Sequence, residues 1–202
     1  MDRAKKFVLF LTISILYVFI LFRIGLIFFA NQYYVRALHL EEEGNWRKAI
    51  SLYEKAIWVY PKNVAFYEKL GRLYVYRSWF PGDATGFLNK AKGTLENGLA
   101  LCPQDGELWL SLGMVWEGLL NQEEALASYN KALALDPQNA FYHAMLARFY
   151  FKSGREKEGV KAAREAIFCR PADRPGVDNY LRKMGISEEL LKKIHEGIPS
   201  GD

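Results

Sequence analysis

The chain has 202 residues, of which 50% are apolar, and its 27 basic and 23 acidic residues leave a formal net charge of +4 at pH 7. Residues 1–30 carry +3 of that charge, and residues 31–202, with 23 basic and 22 acidic residues, carry +1. This nearly neutral body excludes a basic nucleic-acid-binding face. Two cysteines and three histidines are too few for a disulfide-bonded mini-protein or a zinc module, so we predict no metal site.

Residues 7–30 form one long apolar run that contains a single charge, Arg23. As a helix at about 1.5 Å per residue, the run would measure roughly 36 Å, which is enough to cross a hydrocarbon core of about 30 Å. Inserting an arginine costs about 2.5–3.5 kcal/mol, whereas the 18 Leu, Ile, Phe and Val residues contribute roughly 5–11 kcal/mol in favour. We therefore predict a transmembrane signal anchor over residues 7–30, after a basic N-terminus of residues 1–6.

The charges on either side of this run predict its orientation. Arg3, Lys5 and Lys6 precede it, and three glutamates follow it at 41–43. By the positive-inside rule, residues 1–6 stay in the cytoplasm and the rest of the chain is exported, to the periplasmic side in a bacterial inner membrane. Two alternatives stay open. A cleaved signal peptide is disfavoured by the length of the run and by bulky Phe28, and a eukaryotic organelle membrane would leave the rest of the chain in the cytosol.

Arg23 itself has two interpretations. Its side chain can snorkel to the outer headgroups, which we prefer because Arg23 lies well past the midpoint of the run. Alternatively, it pairs with an acidic residue or a backbone carbonyl of another membrane helix, which would make Arg23 a contact between transmembrane helices.

Prolines divide the rest of the chain at nearly regular intervals. Pro61, Pro103, Pro137 and Pro171 are separated by 42, 34 and 34 residues. In the segment that ends at Pro137, large, small and aromatic residues occupy fixed places on two helices: Trp109, Leu112, Gly113, Trp116, Ala125, Tyr129 and Ala132. This segment resembles the tetratricopeptide repeat (TPR), and the other three segments resemble it in part.

The resemblance implies an all-α fold, in which a single transmembrane helix is followed by a TPR-type α-solenoid of about four hairpins. The repeats are predicted at 31–61, 62–103, 104–137 and 138–171. The second repeat has eight extra residues, which we place as an insert at 77–86 in the turn, with Asp83 as the N-cap of a long second helix. Residues 172–202 are expected to form capping helices and a loose tail, with helices over 177–184 and, after the N-cap Ser187, over 188–195.

For function, the resemblance implies a concave groove that is lined by the first helices and holds a peptide, a helix or the surface of another protein. Carried over residue by residue, the groove comprises Tyr34, Leu38, Arg72, Tyr76, Leu110, Met114, Phe141, Met145, Arg148 and Phe151. Members that clamp acidic chaperone tails use Lys and Asn at positions that are occupied here by Tyr34, Leu38, Lys69, Glu107 and Ser111. We therefore expect an apolar or helical ligand, with Arg72 and Arg148 as orienting charges. The alternative is that several of these side chains are hidden in the stack or under the cap.

Trp79 and Phe80 are large aromatic residues in the predicted turn of the insert. Because lone apolar residues tend to find local cover, we expect both rings to tuck against the helix that begins near Ala84. Exposed rings would instead indicate a second contact, with a partner or with a membrane surface.

The sequence shows no catalytic constellation, because the histidines are scattered and neither a phosphate-binding glycine loop nor a haem-attachment motif occurs. We therefore predict a non-catalytic, membrane-anchored TPR scaffold or adaptor without a cofactor. It would mediate protein–protein interaction or the assembly of a membrane or exported protein complex. The alternative is a permanent structural accessory subunit of a multi-subunit membrane complex.

Overall fold

The computed structural model describes residues 3–170, 174–183 and 185–196. Within these ranges the chain forms ten α-helices and no strand, which confirms the predicted all-α class. The chain divides into two compact units, Met1–Leu73 and Tyr74–Asp202, and the boundary falls inside the third helix. The helices are α1 Arg3–Glu42, α2 Trp46–Val59, α3 Val64–Ser78, α4 Ala84–Leu101, α5 Gly106–Gly118, α6 Gln122–Leu135, α7 Ala140–Lys152, α8 Glu156–Cys169, α9 Arg174–Lys183 and α10 Glu188–His195.

The first unit is a long helix with a shorter helix folded back along its end. Helix α1 runs without a break from the apolar run into the first hairpin, and no side chain from Phe7 to Phe29 is buried. The chain reverses at residues 43–45, where Gly44 takes a φ of 75° that favours glycine. Helix α2 then packs its buried residues against α1: Ala49, Tyr53 and Ala56.

The second unit brings its helices close together at small residues. Gly113 of α5 faces the ring of Tyr129 on α6, and a Cβ atom at Gly113 would lie 2.7 Å from that ring. Likewise, a Cβ atom added at Gly159 of α8 would lie 2.6 Å from the ring of Phe151 on α7. These close approaches explain the large–small pattern that the repeat shows in sequence.

Asparagine, aspartate and serine side chains begin several helices of the second unit. Asp83 accepts a hydrogen bond from the backbone N–H of Gly86, as predicted, and Ser187 accepts one from Leu190. The same N-capping occurs at Asp105, Asn121 and Asn139.

The eight extra residues of the second repeat are spread over two helices and the connection between them. The sequence predicts a single insert in the turn, at 77–86. Helix α3 has 15 residues where α5 has 13, and α4 has 18 where α6 has 14. The connection at 79–83 has five residues, against three at 119–121. Most of the added length therefore extends helices, because the residues on both sides of the break at Pro81 continue helical periodicity.

Two C-terminal helices cover the end of the α7–α8 hairpin, in agreement with the predicted cap. Their buried residues Val177, Leu181, Leu191 and Ile194 join the core of the second unit. Arg164 of α8 donates from its Nε to the backbone carbonyl of Ile194 over 3.0 Å. Met184, which we placed in the first capping helix, and the predicted loose tail at 197–202 lie outside the described residues.

The contact between Gly113 and Tyr129 gives a stability prediction. We expect Gly113→Ala to lower the free energy of unfolding by about 1–3 kcal/mol, because the added methyl overlaps a fully buried ring. The matched control is Gly93→Ala on α4, where nothing lies within 4 Å of the new Cβ. There, the better helix propensity of alanine should raise stability by about 0.5–1 kcal/mol. Urea unfolding of the full chain in mild detergent, followed by circular dichroism, measures both, and a neutral Gly113→Ala would contradict the packing argument.

Candidate functional site

In the first unit, the predicted groove residues differ in how far they are free to meet a partner. Tyr34 is half-buried, with its ring 5.8 Å from Tyr53 and 5.1 Å from Phe66. Burial raises the pKa of the Tyr34 hydroxyl, and the charges of Glu68 and Glu41 raise it further. Tyr34 therefore belongs to the packing of the first hairpin.

The other two predicted residues of that unit are more accessible. Leu38 is half-buried, and Arg72 is exposed. The Nη1 of Arg72 donates to Oε1 of Glu68 one turn earlier over 3.2 Å. An exposed ion pair of this kind contributes little to stability, so the Arg72 guanidinium stays available to a ligand.

In the second unit, a carboxylate at the end of α5 gathers three hydrogen-bond donors. Oε2 of Glu117 accepts from the Tyr129 hydroxyl over 2.8 Å and from Nη2 of Arg148 over 2.6 Å. Oε1 of Glu117 accepts from Nζ of Lys152 over 3.1 Å. The Glu117 and Arg148 side chains are only 16% and 12% exposed, whereas Lys152 is 63% exposed. We call Glu117, Tyr129, Arg148 and Lys152 the Glu117 cluster.

The protonation states of the Glu117 cluster follow from its surroundings. Burial and the Glu117 carboxylate raise the pKa of Tyr129, although Arg148 opposes the shift. Burial disfavours the charged form of Arg148, but Glu117 and the hydroxyls of Tyr129 and Tyr180 outweigh it, so the pKa of Arg148 is raised. The raised pKa values keep Tyr129 neutral and Arg148 positively charged beside the Glu117 carboxylate. Arg148, predicted as an orienting charge for a ligand, is already paired within the protein.

Sequence reasoning missed the role of Glu117, although the sequence contains a signal for it. Tyr53 donates to Oε2 of Glu41 over 2.7 Å, just as Tyr129 donates to Glu117 twelve residues earlier. A glutamate twelve residues before the repeat tyrosine therefore marks this bond in the first and third repeats. In the fourth repeat the tyrosine position is occupied by Ala163, so the bond is absent there. A different tyrosine, Tyr142 on α7, donates to Oε1 of Glu107 on α5 over 3.0 Å.

The capping helix α9 covers part of the predicted groove. The Tyr180 hydroxyl contacts the sulfur of Met145, and the Tyr180 ring lies 6.4 Å from Phe141. Met145 is 3% exposed and Leu110 is 2% exposed, so both side chains are core residues and not surface residues as predicted. The burial of Met145 and Leu110 agrees with the alternative interpretation, in which some groove positions are hidden in the stack or under the cap.

Other predicted groove residues of the second unit reach the surface. Phe141 is 50% exposed, Tyr76 is 48% exposed, and Met114 and Phe151 are half-buried. These residues are apolar or aromatic, which suits an apolar ligand better than a strongly charged one.

Trp79 and Phe80 do not tuck against the following helix as predicted. Trp79 is 62% exposed and Phe80 is 40% exposed, and both rings pack instead around Tyr76, with centroids 6.0 and 4.9 Å away. Phe87 at the start of α4 packs its ring 6.2 Å from that of Tyr74. Tyr76, Trp79 and Phe80 therefore form one exposed aromatic patch, and the Arg77 guanidinium lies 4.8 Å from the Phe80 ring centroid.

Among the described residues, no group of three or more His, Cys, Asp or Glu side chains is arranged to hold a metal ion. The surfaces that the structure offers are thus apolar and aromatic contact areas.

Two segments of the chain match family models. Residues 121–154 match a model described as TPR repeat, and residues 20–63 match one described as tetratricopeptide repeat. The chain contains tetratricopeptide repeats. Among curated proteins, the TPR repeat-containing thioredoxin TTL4 of Arabidopsis thaliana is 42% identical over 52 residues, which are 26% of this chain and 8% of that protein. The similarity therefore spans only a small part of that relative.

Solved TPR structures are similar over most of the chain at low sequence identity. MamA 41-end from Desulfovibrio magneticus RS-1 has a TM-score of 0.61 at 18% identity, over 71% of this chain and 76% of that chain. The thermophilic TPR protein TTC0263 of Thermus thermophilus has a TM-score of 0.57 at 20% identity, over 78% and 100%. YrrB, described as a TPR protein with an unusual peptide-binding site, has a TM-score of 0.55 at 20% identity, over 81% and 84%. These similarities establish a shared fold.

The Glu117 cluster predicts unequal effects for two cations that share one carboxylate. Arg148→Met leaves a nearly buried Glu117 without its main partner, so we expect a loss of about 3 kcal/mol of stability. Lys152→Gln removes an exposed partner of the same carboxylate, and its cost should stay below about 1 kcal/mol. Urea unfolding measures the loss of stability in both variants. Equal losses would mean that the burial of a partner does not determine its contribution to the stability of this cluster.

Buried tyrosines predict a loss of stability at alkaline pH. Burial, followed by nearby carboxylates, raises the pKa of Tyr129 and Tyr142 in the folded chain above the unfolded value of about 10. Their contribution to stability is therefore complete below pH ~10 and is lost progressively as the pH rises above it. We expect the free energy of unfolding to fall between about pH 9.5 and pH 11, with a smaller slope in Tyr129→Phe. An unchanged slope in that variant would contradict the assignment.

Proposed function

We propose that this protein is a non-catalytic TPR scaffold, anchored by one membrane helix, that holds protein partners at a membrane surface. TPR proteins mediate protein–protein interactions, and the repeats of this chain carry that general role. The observation that supports the anchored form best is the continuity of α1, which belongs to an exposed apolar segment at its start and to a repeat hairpin at its end.

The exposed segment of α1 supports the anchor on energetic grounds. Among the described residues, one helix is long and apolar enough to cross a membrane, with a mean hydropathy of 2.5 in its most apolar stretch, none of which is buried. Its large exposed side chains from Phe7 to Phe22 would form a continuous apolar surface in water. A lipid bilayer removes that penalty, at about 25 cal/mol per Å² of apolar area.

The flanking charges support the proposed topology. Basic residues precede the apolar segment and the acidic stretch at 41–43 follows it, so we place the N-terminus in the cytoplasm and the repeats on the exported side, as in a bacterial inner membrane. The partners would then be membrane or newly exported proteins.

For the partner contact, we propose the exposed apolar area of the second unit. The groove positions Met114, Phe141 and Phe151 supply part of it, and the aromatic patch of Tyr76, Trp79 and Phe80 supplies a second contact. Aromatic anchors of this kind dominate the energy of protein interfaces. In the first unit, Leu38 and Arg72 are a separate proposed contact. Tyr34, Leu110, Met145 and Arg148 would act indirectly, by supporting the surfaces around them.

The anchor is tested by sodium carbonate extraction of membranes that contain the full chain. We expect the protein to stay with the membranes at its intact mass of 23.3 kDa. A C-terminal tag should be digested by protease added to spheroplasts. Release by carbonate would contradict the anchor, a shortened N-terminus would indicate a cleaved signal peptide, and a protected tag would reverse the topology.

The partner surface is tested by site-specific photo-crosslinking. We expect adducts from p-benzoylphenylalanine at Phe141, Tyr76 or Trp79, and none from the matched control Phe168 of α8, which is 78% exposed. In the same cells, Trp79→Ala should release the partner without lowering the melting temperature. Adducts at Phe168 alone would place the interface elsewhere, and a partner that co-migrates in fixed stoichiometry would favour the alternative, a permanent subunit of a membrane complex.

A further inference from the structure

Two residues in the second half of the predicted membrane span, Arg23 and Ala30, contact other parts of the first unit. The guanidinium carbon of Arg23 lies 5.9 Å from the centroid of the Tyr60 ring, at the end of α2. Ala30 is fully buried and forms a small core with Ala56 and Phe66. Between these two contacts Ile24, Ile27, Phe28 and Phe29 stay exposed, and the residues from Phe7 to Phe22 contain no buried side chain. The tetratricopeptide repeat match also begins at residue 20, inside the predicted span.

This packing limits how far the hydrocarbon can extend along α1. Helix α2 runs antiparallel to α1, so its last turn lies beside residues 23–30. If lipid reached Ala30, it would also surround the end of α2 and the turn at 61–63, which contains exposed Lys62. Non-helical backbone is not tolerated in contact with hydrocarbon, and burying a charged lysine there is unfavourable.

We infer that the first hairpin rests on the bilayer surface, with the segment Trp58–Lys62 at the level of the phospholipid headgroups and the hydrocarbon boundary at Arg23. This inference rests on the proposed membrane anchor and adds where the anchor ends and which protein surface touches lipid. The lipid-crossing part is then 7–22, whose 16 residues measure about 24 Å as a helix. Snorkelling of Arg23 and local thinning of the bilayer accommodate the difference from about 30 Å.

The side chains at this level have the chemistry of a membrane interface. Trp58 is 84% exposed on α2, and Phe28 and Phe29 of α1 are 57% and 59% exposed. Tryptophan is enriched at the headgroup level because its ring is apolar and its N–H is polar. Arg23 and Lys62 add positive charge, which is complementary to lipid phosphates. An aqueous position would leave Trp58 almost wholly in water.

Site-directed spin labelling of the full chain in vesicles of phosphatidylcholine and phosphatidylglycerol tests this position. The background replaces the free cysteines Cys102 and Cys169 with alanine, and single cysteines carry the label at Val18, Trp58 and Ser51. Ser51 is the matched control because it is exposed and lies seven residues before Trp58, on the same face of α2 and about 10 Å further along it. Accessibility to oxygen and to a nickel chelate reports the depth of each label.

We expect the Val18 label deep in the hydrocarbon, the Trp58 label at the headgroups and the Ser51 label in water. A fourth label at Ile27 should lie at the interface and not at the depth of Val18. A Trp58 label as aqueous as Ser51, or an Ile27 label as deep as Val18, overturns this inference while leaving the anchor intact. A Val18 label in water overturns the proposed anchor, and the present inference with it.

A second measurement guards against a perturbed fold in the cysteine variants. A variant that retains Trp58 as its only tryptophan, with phenylalanine at the other four positions, is reconstituted with brominated phosphatidylcholine. We expect bromines near the headgroup to quench Trp58 more strongly than bromines near the chain end. A variant that retains only Trp109 should show no quenching, and equal quenching of the two variants would contradict the specific seating of the first hairpin.

Discussion

The structure depends on one unbroken helix with two different environments along its length. Helix α1 exposes mostly apolar side chains over its first half, and in its second half it supplies the small residues Ala30 and Ala37 against which α2 packs. No flexible linker separates these parts, so the orientation of the first hairpin about α1 is fixed by the same backbone hydrogen bonds that make the helix. The first hairpin is therefore rigidly joined to the apolar segment, because the helix-weakening Gly25 near the junction lies within the continuous helix.

Beyond α1, the fold uses two recurring devices. Close approach at a glycine, as between Gly113 and Tyr129, lets two helices pack with an aromatic ring as the filling. A glutamate then accepts the hydroxyl of the same tyrosine, so the ring is fixed at both its faces and its polar end. The devices are coupled, because a bulkier residue at Gly113 would push Tyr129 away from Glu117 and leave a nearly buried carboxylate with fewer donors.

Helix order, N-caps and capping helices could be predicted from the sequence because they depend on local signals. Asp83 and Ser187 cap helices through their own neighbours, and the repeat at Trp109–Pro137 carries its packing pattern in short spacings. The solvent exposure of the predicted groove residues could not be predicted in the same way. Whether Met145 meets solvent depends on Tyr180, which is 35 residues away and belongs to a helix outside the repeat pattern. Likewise, Trp79 packs against Tyr76 of the preceding helix and stays 62% exposed, which the composition of the turn does not reveal.

The same dependence on distant partners decides what the binding surface can recognise. An unpaired arginine in a groove attracts carboxylates, and from sequence alone Arg148 has that appearance. In the structure its charge is cancelled by Glu117, which lies 31 residues earlier in the chain and is itself fixed by Tyr129. Because the ion pair is nearly buried, a competing acidic ligand would have to displace a carboxylate that already makes three hydrogen bonds. The Arg148 guanidinium is therefore a poor attachment point for an acidic tail, and the proposed partner contact relies on the shape and apolar area of residues such as Phe141, Phe151 and the aromatic patch.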